Sequence, residues 1–150
     1  MKREKFLWPL TQSHHRALMA AKRVRESLSG PATPKPEGLE KALSAELKAL
    51  YDGELQRHFW DEEKILVLYE GHMGREEPDP ARIRKEHRLL ESLLGKEDRE
   101  SLLHFAETLT AHVRFEEDVL FGRIESILNE SEKEAVLRLI SFAGQPLPPA

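Results

Sequence analysis

Apolar residues recur at alternating intervals of three and four positions through most of this chain. That period is typical of α-helices that turn one apolar face towards a shared core. Proline and glycine interrupt the period, most clearly in the segment "SGPATPKPEG", and no stretch has the pattern of a strand. The sequence therefore predicts an all-α fold, namely an antiparallel up-down four-helix bundle with a short fifth C-terminal helix.

Local signals place the ends of these helices. A capping box, with Ser131 as the cap and Glu134 three residues later, predicts the start of the fifth helix. Gly122 is expected to interrupt or bend the fourth helix near its end. The expected bounds are Pro9 to Gly30, about Leu39 to Glu70, the pair Asp79–Pro80 to near Gly95, about Asp98 to about Phe121, and about 131–143.

The size of the chain fits one domain. With 150 residues and 39% hydrophobic side chains, it can bury a substantial core without metal or disulfide support. We expect a single domain over 1–150, with the bundle at about 7–128 and an extended tail at 144–150.

Charge and cysteine content exclude several function classes. Lys and Arg total 23 against 27 for Asp and Glu, which gives a net charge of −4 and no sign of a nucleic-acid footprint. The absence of cysteine excludes disulfides, thiolate metal sites and cysteine nucleophiles. The polar stretch "TQSHHR" follows the basic start before an apolar signal region can form, and no stretch approaches a membrane span. These features predict a soluble, cytoplasmic protein with neither nucleic-acid nor membrane partners.

Each of the four main predicted helices carries a histidine on its inward face. In the first helix, His14 lies between Leu10 and Ala17 on an otherwise apolar stripe. In the other three helices a glutamate follows the histidine by four positions, and two of these pairs occur in "HFWDEE" and "HVRFEE". The inward polar residues are His14, His58, Glu62, His87, Glu91, His112 and Glu116.

The spacing of these residues favours metal binding. Residues at i and i+4 lie about 40 degrees apart and about 6 Å along the helix axis, so their side chains can meet at one point. Neutral imidazole and carboxylate are ligands suited to iron, manganese or zinc. Glu63 and Glu117, five positions after their histidines, point about 140 degrees away and are expected to have supporting or surface roles.

A metal-free explanation would satisfy the inward glutamates with protons or with buried salt bridges. The arginines flank the inward faces instead of occupying them, which weakens that explanation. They include Arg16, Arg57, Arg88 and Arg114. His72, in a glycine-flanked loop, and His104 are expected to be ordinary surface or packing residues. The aromatic residues expected to form the core and a dry wall for the site are Phe59, Trp60 and Phe115.

Four segments, in a fixed order, resemble the hemerythrin-like, or HHE cation-binding, domains. They are "LTQSHHRAL", "HFWDEE", "KEHRLL" and "HVRFEEDVLF", and the resemblance spans about residues 7–125. It implies an up-down four-helix bundle that holds two non-haem irons bridged by carboxylates. The ligands that it implies are His14, His58, Glu62, His87, His112 and Glu116, with Glu62 and Glu116 as the bridging pair. His15 is the alternative to His14 if the first helix is rotated.

One position departs from the oxygen-carrying members of that family. They have a second histidine one turn after the first on the third helix, where this chain has Glu91. If Glu91 binds, its negative charge favours the oxidised metal and weakens reversible oxygen release. If it does not, one iron keeps an open or water-filled position for oxygen, peroxide or nitric oxide. Hydrogen bonding from Glu91 to a metal-bound water is a third option, and none of the three implies simple oxygen transport.

Three functions are consistent with these expectations. The first is a non-haem di-iron protein that binds oxygen or a related diatomic for sensing, storage or stress defence, with manganese or zinc as alternative metals. The second is a di-iron carboxylate oxidase or peroxidase, although no separate general acid, nucleophile or substrate pocket can be named. The third is a metal-free helical interaction module. A protein partner and the oligomeric state stay open, and the short fifth helix is expected to close its own core rather than form a dimer surface.

Overall fold

The computed structural model of the protein describes residues 2–30, 35–74 and 76–140, and all regular structure within these ranges is helical. This confirms the all-α prediction. None of the described helices is both long and apolar enough to cross a membrane. The expected tail at 144–150 lies outside the described residues. After a 3₁₀ turn at Lys5–Leu7 the helices are α1 (Trp8–Leu28), α2 (Leu39–Leu50), α3 (Gln56–Met73), α4 (Pro78–Leu93), α5 (Arg99–Phe115), α6 (Phe121–Ile127) and α7 (Glu130–Ile140).

The start of α5 is where the sequence predicts it, whereas α4 begins earlier. Asp98 accepts a hydrogen bond from the backbone N–H of Ser101 at 3.0 Å, as an N-cap does. The first residue of α4 is Pro78, whereas the sequence predicts Pro80 in that position. The predicted cap at Asp79 is therefore wrong, because this residue lies inside the first turn. Its buried carboxylate accepts a hydrogen bond from Arg123.

The capping box of α7 lies upstream of the predicted one. The side-chain oxygen of Asn129 accepts a hydrogen bond from the backbone N–H of Glu132 at 2.8 Å. In return, the carboxylate of Glu132 accepts one from the backbone N–H of Asn129 at 3.0 Å. The prediction of Ser131 with Glu134 is therefore wrong. Asn129, two positions earlier, caps the helix by accepting from a backbone N–H of its first turn.

Two π-helical turns, which the sequence analysis did not predict, join α2 to α3 at Tyr51–Leu55 and α5 to α6 at Glu116–Leu120. In the second turn the N–H of Phe121 donates to the carbonyl of Glu116, five residues earlier. One residue is thereby added to the turn. The inward face moves as a result to Leu120, which is fully buried, whereas Val119 is only half-buried. Gly122 does not interrupt the helix, since it lies within α6.

The core consists of two apolar clusters. Both α1 and α4 pack along α5, and α3 contacts α4. Along α1 the two clusters are separated by His14, which follows Leu10 of one cluster and precedes Ala17 of the other. The first cluster includes Ala17, Leu43, Leu47, Phe105 and Leu109. The second includes Leu10, Ile65, Tyr69, Ile83 and Ile124.

Helix α7 covers the second apolar cluster. Val136 and Ile140 are buried there beside Phe6, and α7 contacts the 3₁₀ turn and α3. This arrangement agrees with the expectation that the short C-terminal helix closes its own core. Ala135, next to Val136 in the same helix, is exposed.

The observed capping box can be tested by a pair of alanine substitutions. Asn129→Ala removes a side chain that caps α7 and should lower the free energy of unfolding by about 1 kcal/mol. Ser131→Ala lies just inside the same helix and should change it by less than about 0.5 kcal/mol. Urea denaturation of both variants measures the difference. A larger loss for the serine variant would restore the cap predicted from the sequence.

Candidate metal centre

Six of the seven inward polar residues predicted from the sequence meet in one buried layer. Each is at most 4% exposed, although all six are ionisable. They come from four separate helical segments, and Glu116 is the first residue of the second π-helical turn. The six residues are His14 on α1, His58 and Glu62 on α3, His87 on α4, His112 on α5, and Glu116.

The carboxylate of Glu62 lies at the centre of the four histidines. Its Oε2 is 2.9 Å from Nε2 of His58 and 3.5 Å from Nε2 of His14. Its Oε1 is 2.9 Å from Nε2 of His87 and 3.6 Å from Nε2 of His112. Each oxygen therefore faces one pair of imidazoles, which is the arrangement of a carboxylate that can bridge two cations.

The carboxylate of Glu116 joins the same two pairs from another side. Its Oε1 lies 3.0 Å from Nε2 of His14 and 3.2 Å from Nε2 of His112. Even so, neither Oε1 of Glu116 nor Nε2 of His112 makes a hydrogen bond to any described residue. Buried polar atoms without partners are costly, and a cation among these lone pairs would satisfy them.

The ligand atoms form two groups that share Glu62. All candidate atoms within a group lie within 4.8 Å of one another. The first group consists of His14, His58, Glu62 and Glu116. The second consists of Glu62, His87 and His112. Imidazole nitrogens combined with carboxylate oxygens are a donor set suited to iron, manganese or zinc, so the residues fit a pair of such ions.

Three of the four histidines have a carboxylate at the outer ring nitrogen. A hydrogen bond from Nδ1–H to a carboxylate fixes the tautomer and turns Nε2 towards the centre. Glu63 and Glu117 thus have the supporting role expected for them, whereas Glu86 was missed. It reaches His112 from another helix, and no spacing within one helix indicates such a contact. The pairs are His14–Glu117 at 2.6 Å, His87–Glu63 at 2.8 Å and His112–Glu86 at 2.9 Å.

Each of these outer carboxylates also faces an arginine. The guanidinium groups offset part of the charge of these carboxylates, so that the outer layer adds less negative charge to the centre. The pairs are Glu63–Arg88 at 2.8 Å, Glu86–Arg82 at 3.2 Å and Glu117–Arg3 at 3.6 Å.

The structure does not bring Glu91 into either group. The hydroxyl of Tyr51 donates to its Oε2 at 2.5 Å, and Nε of Arg88 donates to its Oε1 at 2.7 Å. Burial, and then the neighbouring Glu91 carboxylate, raise the pKa of Tyr51, so the phenol keeps its proton and donates it. Both oxygens of Glu91 are therefore engaged on the half-buried side of α4, one turn beyond His87.

The remaining histidines lie outside the centre. His15 is exposed, so the alternative of a rotated first helix is not observed. His104 is exposed as well. His72 contacts Glu132 at 2.7 Å, but it belongs to the last turn of α3 rather than to a loop.

Of the three aromatic residues predicted to shield the site from water, Phe59 packs directly against it. The ring of Phe59 stacks on that of His87 with centroids 4.0 Å apart, and Phe59 is buried. Trp60 and Phe115 are only half-buried. The guanidinium of Arg82 lies 3.8 Å from the centre of the Phe115 ring. Trp60 and Phe115 therefore lie at the edge of the site.

Burial opposes a positive charge on the imidazoles of His14, His87 and His112, but neighbouring carboxylates outweigh it and favour the protonated rings by raising their pKa values. Burial lowers the pKa of His14, but the neighbouring carboxylates of Glu116 and Glu117 outweigh it and raise the pKa to about 11. Burial likewise opposes the charge on His112, yet the nearby Glu116 carboxylate raises its pKa well above the usual value. For Glu62, burial works against ionisation, but the surrounding imidazoles hold its pKa well below the usual range. Metal binding must displace these protons, so affinity should rise with pH.

A small apolar cavity adjoins the two inner carboxylates. Its volume is about 10 Å³, which is close to the space that one water-sized molecule needs. Apart from Glu62 and Glu116 the lining is aliphatic or aromatic, namely Leu10, Ile65, Leu66, Leu120, Phe121 and Ile124.

Comparison with known proteins gives one match. The profile of the family described as "Hemerythrin HHE cation binding domain" matches residues 7–124. No curated protein and no solved structure gives a significant match. The matched range contains all six clustered residues and the three outer carboxylates.

The contribution of the outer carboxylates can be measured at Glu86. Glu86→Ala removes the acceptor for Nδ1–H of His112 and should weaken binding of a divalent metal by about tenfold. Glu107→Ala, an exposed glutamate on α5, is the matched control and should leave the affinity unchanged. Competition with a chelator of known affinity measures both. Equal affinities would show that Glu86 does not support the centre.

Proposed function

Because the chain belongs to the family of hemerythrin HHE cation-binding domains, we propose that it binds two iron ions within its buried polar layer. The observation that carries this proposal is the convergence of four imidazole Nε2 atoms on two carboxylates that are almost fully buried. Such a cluster costs free energy in an apolar core unless a cation or protons compensate it.

In this proposal each ion has its own pair of histidines. His14 and His58 hold one ion, and His87 and His112 hold the other. Glu62 is shared, since each of its oxygens faces one pair, and Glu116 lies near a histidine of both pairs. Bound iron would supply reversible redox chemistry and affinity for small diatomic molecules. The same donor types also accept manganese or zinc.

We place Glu91 outside the ligand set. Tyr51 and Arg88 already engage both of its oxygens. The group around His87 and His112 then offers three side chains, against four in the group around His14 and His58. The second ion would therefore have more positions for a ligand from solution.

The small cavity beside Glu62 and Glu116 supports a diatomic ligand. Its volume of about 10 Å³ excludes an organic substrate, and its apolar lining favours oxygen or a related diatomic molecule. We therefore propose a role in sensing, storing or removing such a molecule, with an oxidase or peroxidase as the alternative.

The helix contacts support an antiparallel four-helix bundle around the centre. Its four members would be α1, the segment 39–73, α4 and the segment 99–127. Short connections between consecutive segments, as at 74–77, favour antiparallel neighbours. Ligands from all four members would then tie the bundle together at its middle.

Metal content tests the proposed centre directly. Protein purified from iron-supplemented cells should contain about two irons per chain and show a visible absorption band that bleaches on anaerobic reduction. The double variant His58→Ala/His112→Ala removes one ligand from each group and should retain less than about a tenth of the iron.

The matched control is His72→Ala/His104→Ala, which removes two histidines outside the centre. It should keep the iron content of the unmodified protein. Circular dichroism shows whether all three proteins are folded. One tightly held zinc per chain, or equal iron in both double variants, would contradict the proposed pair of iron ions.

The choice between a binding protein and an enzyme depends on turnover. The reduced, iron-loaded protein should change its spectrum when oxygen is added and recover when oxygen is removed. Hydrogen peroxide should react once per centre, because the small cavity is lined by apolar side chains apart from Glu62 and Glu116, which the proposed ions would engage. Steady consumption of peroxide over many turnovers would instead favour the peroxidase alternative.

A further inference from the structure

His58 differs from the other three histidines of the centre. Its Nε2 faces the centre, 2.9 Å from Glu62 and 3.1 Å from Nε2 of His14. Its Nδ1 is buried and makes no hydrogen bond to any described residue. When Nε2 of a histidine binds a metal, Nδ1 carries the hydrogen and needs an acceptor. The chain supplies carboxylates for this purpose to three histidines but not to His58.

A cavity of about 410 Å³ adjoins His58 between α1, the first π-helical turn and α3. This volume is in the range of small-molecule sites. Ser13 also lines the cavity, and its buried hydroxyl lies beside the carboxylate of Glu54. The unpaired Nδ1 of His58 and a hydroxyl donor therefore border the same space. The other polar residues of the lining are Gln12, Arg16, Glu54, Arg57 and Asp61.

The carboxylates of the cavity wall are bound to arginines and do not reach His58. Both oxygens of Glu54 accept hydrogen bonds from Nε of Arg16, at 2.8 and 2.9 Å. Asp61 is 2% exposed and accepts a hydrogen bond from Nε of Arg57 at 3.0 Å. Turning Asp61 towards His58 would break a largely buried ion pair, which is costly.

We propose that this cavity binds a small organic carboxylate. One of its oxygens accepts hydrogen bonds from Nδ1–H of His58 and from the hydroxyl of Ser13. The ligand thereby gives His58 the partner that Glu117, Glu63 and Glu86 give to the other histidines. A carboxylate fits better than a neutral acceptor, because a bound metal ion makes Nδ1–H a stronger donor and charged acceptors form the stronger hydrogen bonds. The inference rests on the proposed metal centre.

Acetate is the probe for the test, and the zinc-loaded full chain is the protein, since zinc is diamagnetic and suits the same ligands. The ring nitrogens are labelled with ¹⁵N, and the Nδ1–H signals of the four histidines are followed by NMR during an acetate titration. The signal of His58 should move downfield and saturate. The signals of the other three should stay in place, because their hydrogens are already bonded to carboxylates.

Two serine variants locate the binding site. Ser13→Ala removes one proposed hydrogen bond and should raise the midpoint of the titration about fivefold. Ser44→Ala is the matched control, because Ser44 is buried to the same degree, at 6% exposure, and does not line the cavity. Its midpoint should equal that of the unmodified protein.

Three results would overturn the inference while leaving the metal centre intact, as shown by the zinc content of the same samples. The first is no saturable shift of the His58 signal. The second is a shift with the same midpoint in Ser13→Ala, which would place acetate on the metal ions. The third is a His58 signal that moves in Glu54→Gln or Asp61→Asn without acetate, since the chain itself would then supply the acceptor. Loss of zinc binding would overturn the inference together with the proposed function.

Discussion

The carboxylate of Glu62 holds the middle of this protein together. Its two oxygens contact imidazoles from α3 and α4 at 2.9 Å, and imidazoles from α1 and α5 lie within 3.6 Å. Apolar packing cannot replace this layer, since the two apolar clusters lie on either side of it. The polar layer therefore determines which residues of the four helical segments lie at the same height. A shift of one segment by a turn would leave a charged group facing hydrocarbon, which is far more costly than an imperfect apolar contact.

The π-helical turns show how the chain combines this layer with its apolar clusters. Glu116 lies four residues after His112, and both must face the centre. Continuing the α-helix would then bring Val119 inward, but the turn at Glu116–Leu120 adds one residue and buries Leu120 instead. The turn thus changes the inward face directly after the last candidate ligand. π-Helical turns are often found at functional sites, and here the candidate ligand Glu116 begins the turn.

The sequence predicted what depends on contacts within one helix. The pairs His58–Glu62 and His112–Glu116 follow from helical geometry alone, and His14 follows from its position in an apolar stripe. The same geometry selected Glu91, four positions after His87, and gave no indication of Glu86, which directly precedes His87. Glu86 reaches His112 on another helix, whereas Tyr51 and Arg88 hold Glu91 away from the centre. Their roles depend on helix packing, which a pattern within one helix does not contain.

The arginines explain why the charge of the proposed centre depends on its inner ligands. Each outer carboxylate is paired with an arginine, which offsets part of its negative charge. Two divalent ions with the two inner carboxylates then carry a net charge of about +2, and oxidation of both ions would raise it to about +4. In a buried layer each added positive charge is unfavourable. Coordination of Glu91 would offset part of that charge and favour the oxidised ions. The hydrogen bonds from Tyr51 and Arg88 therefore keep the charge of Glu91 away from the proposed centre.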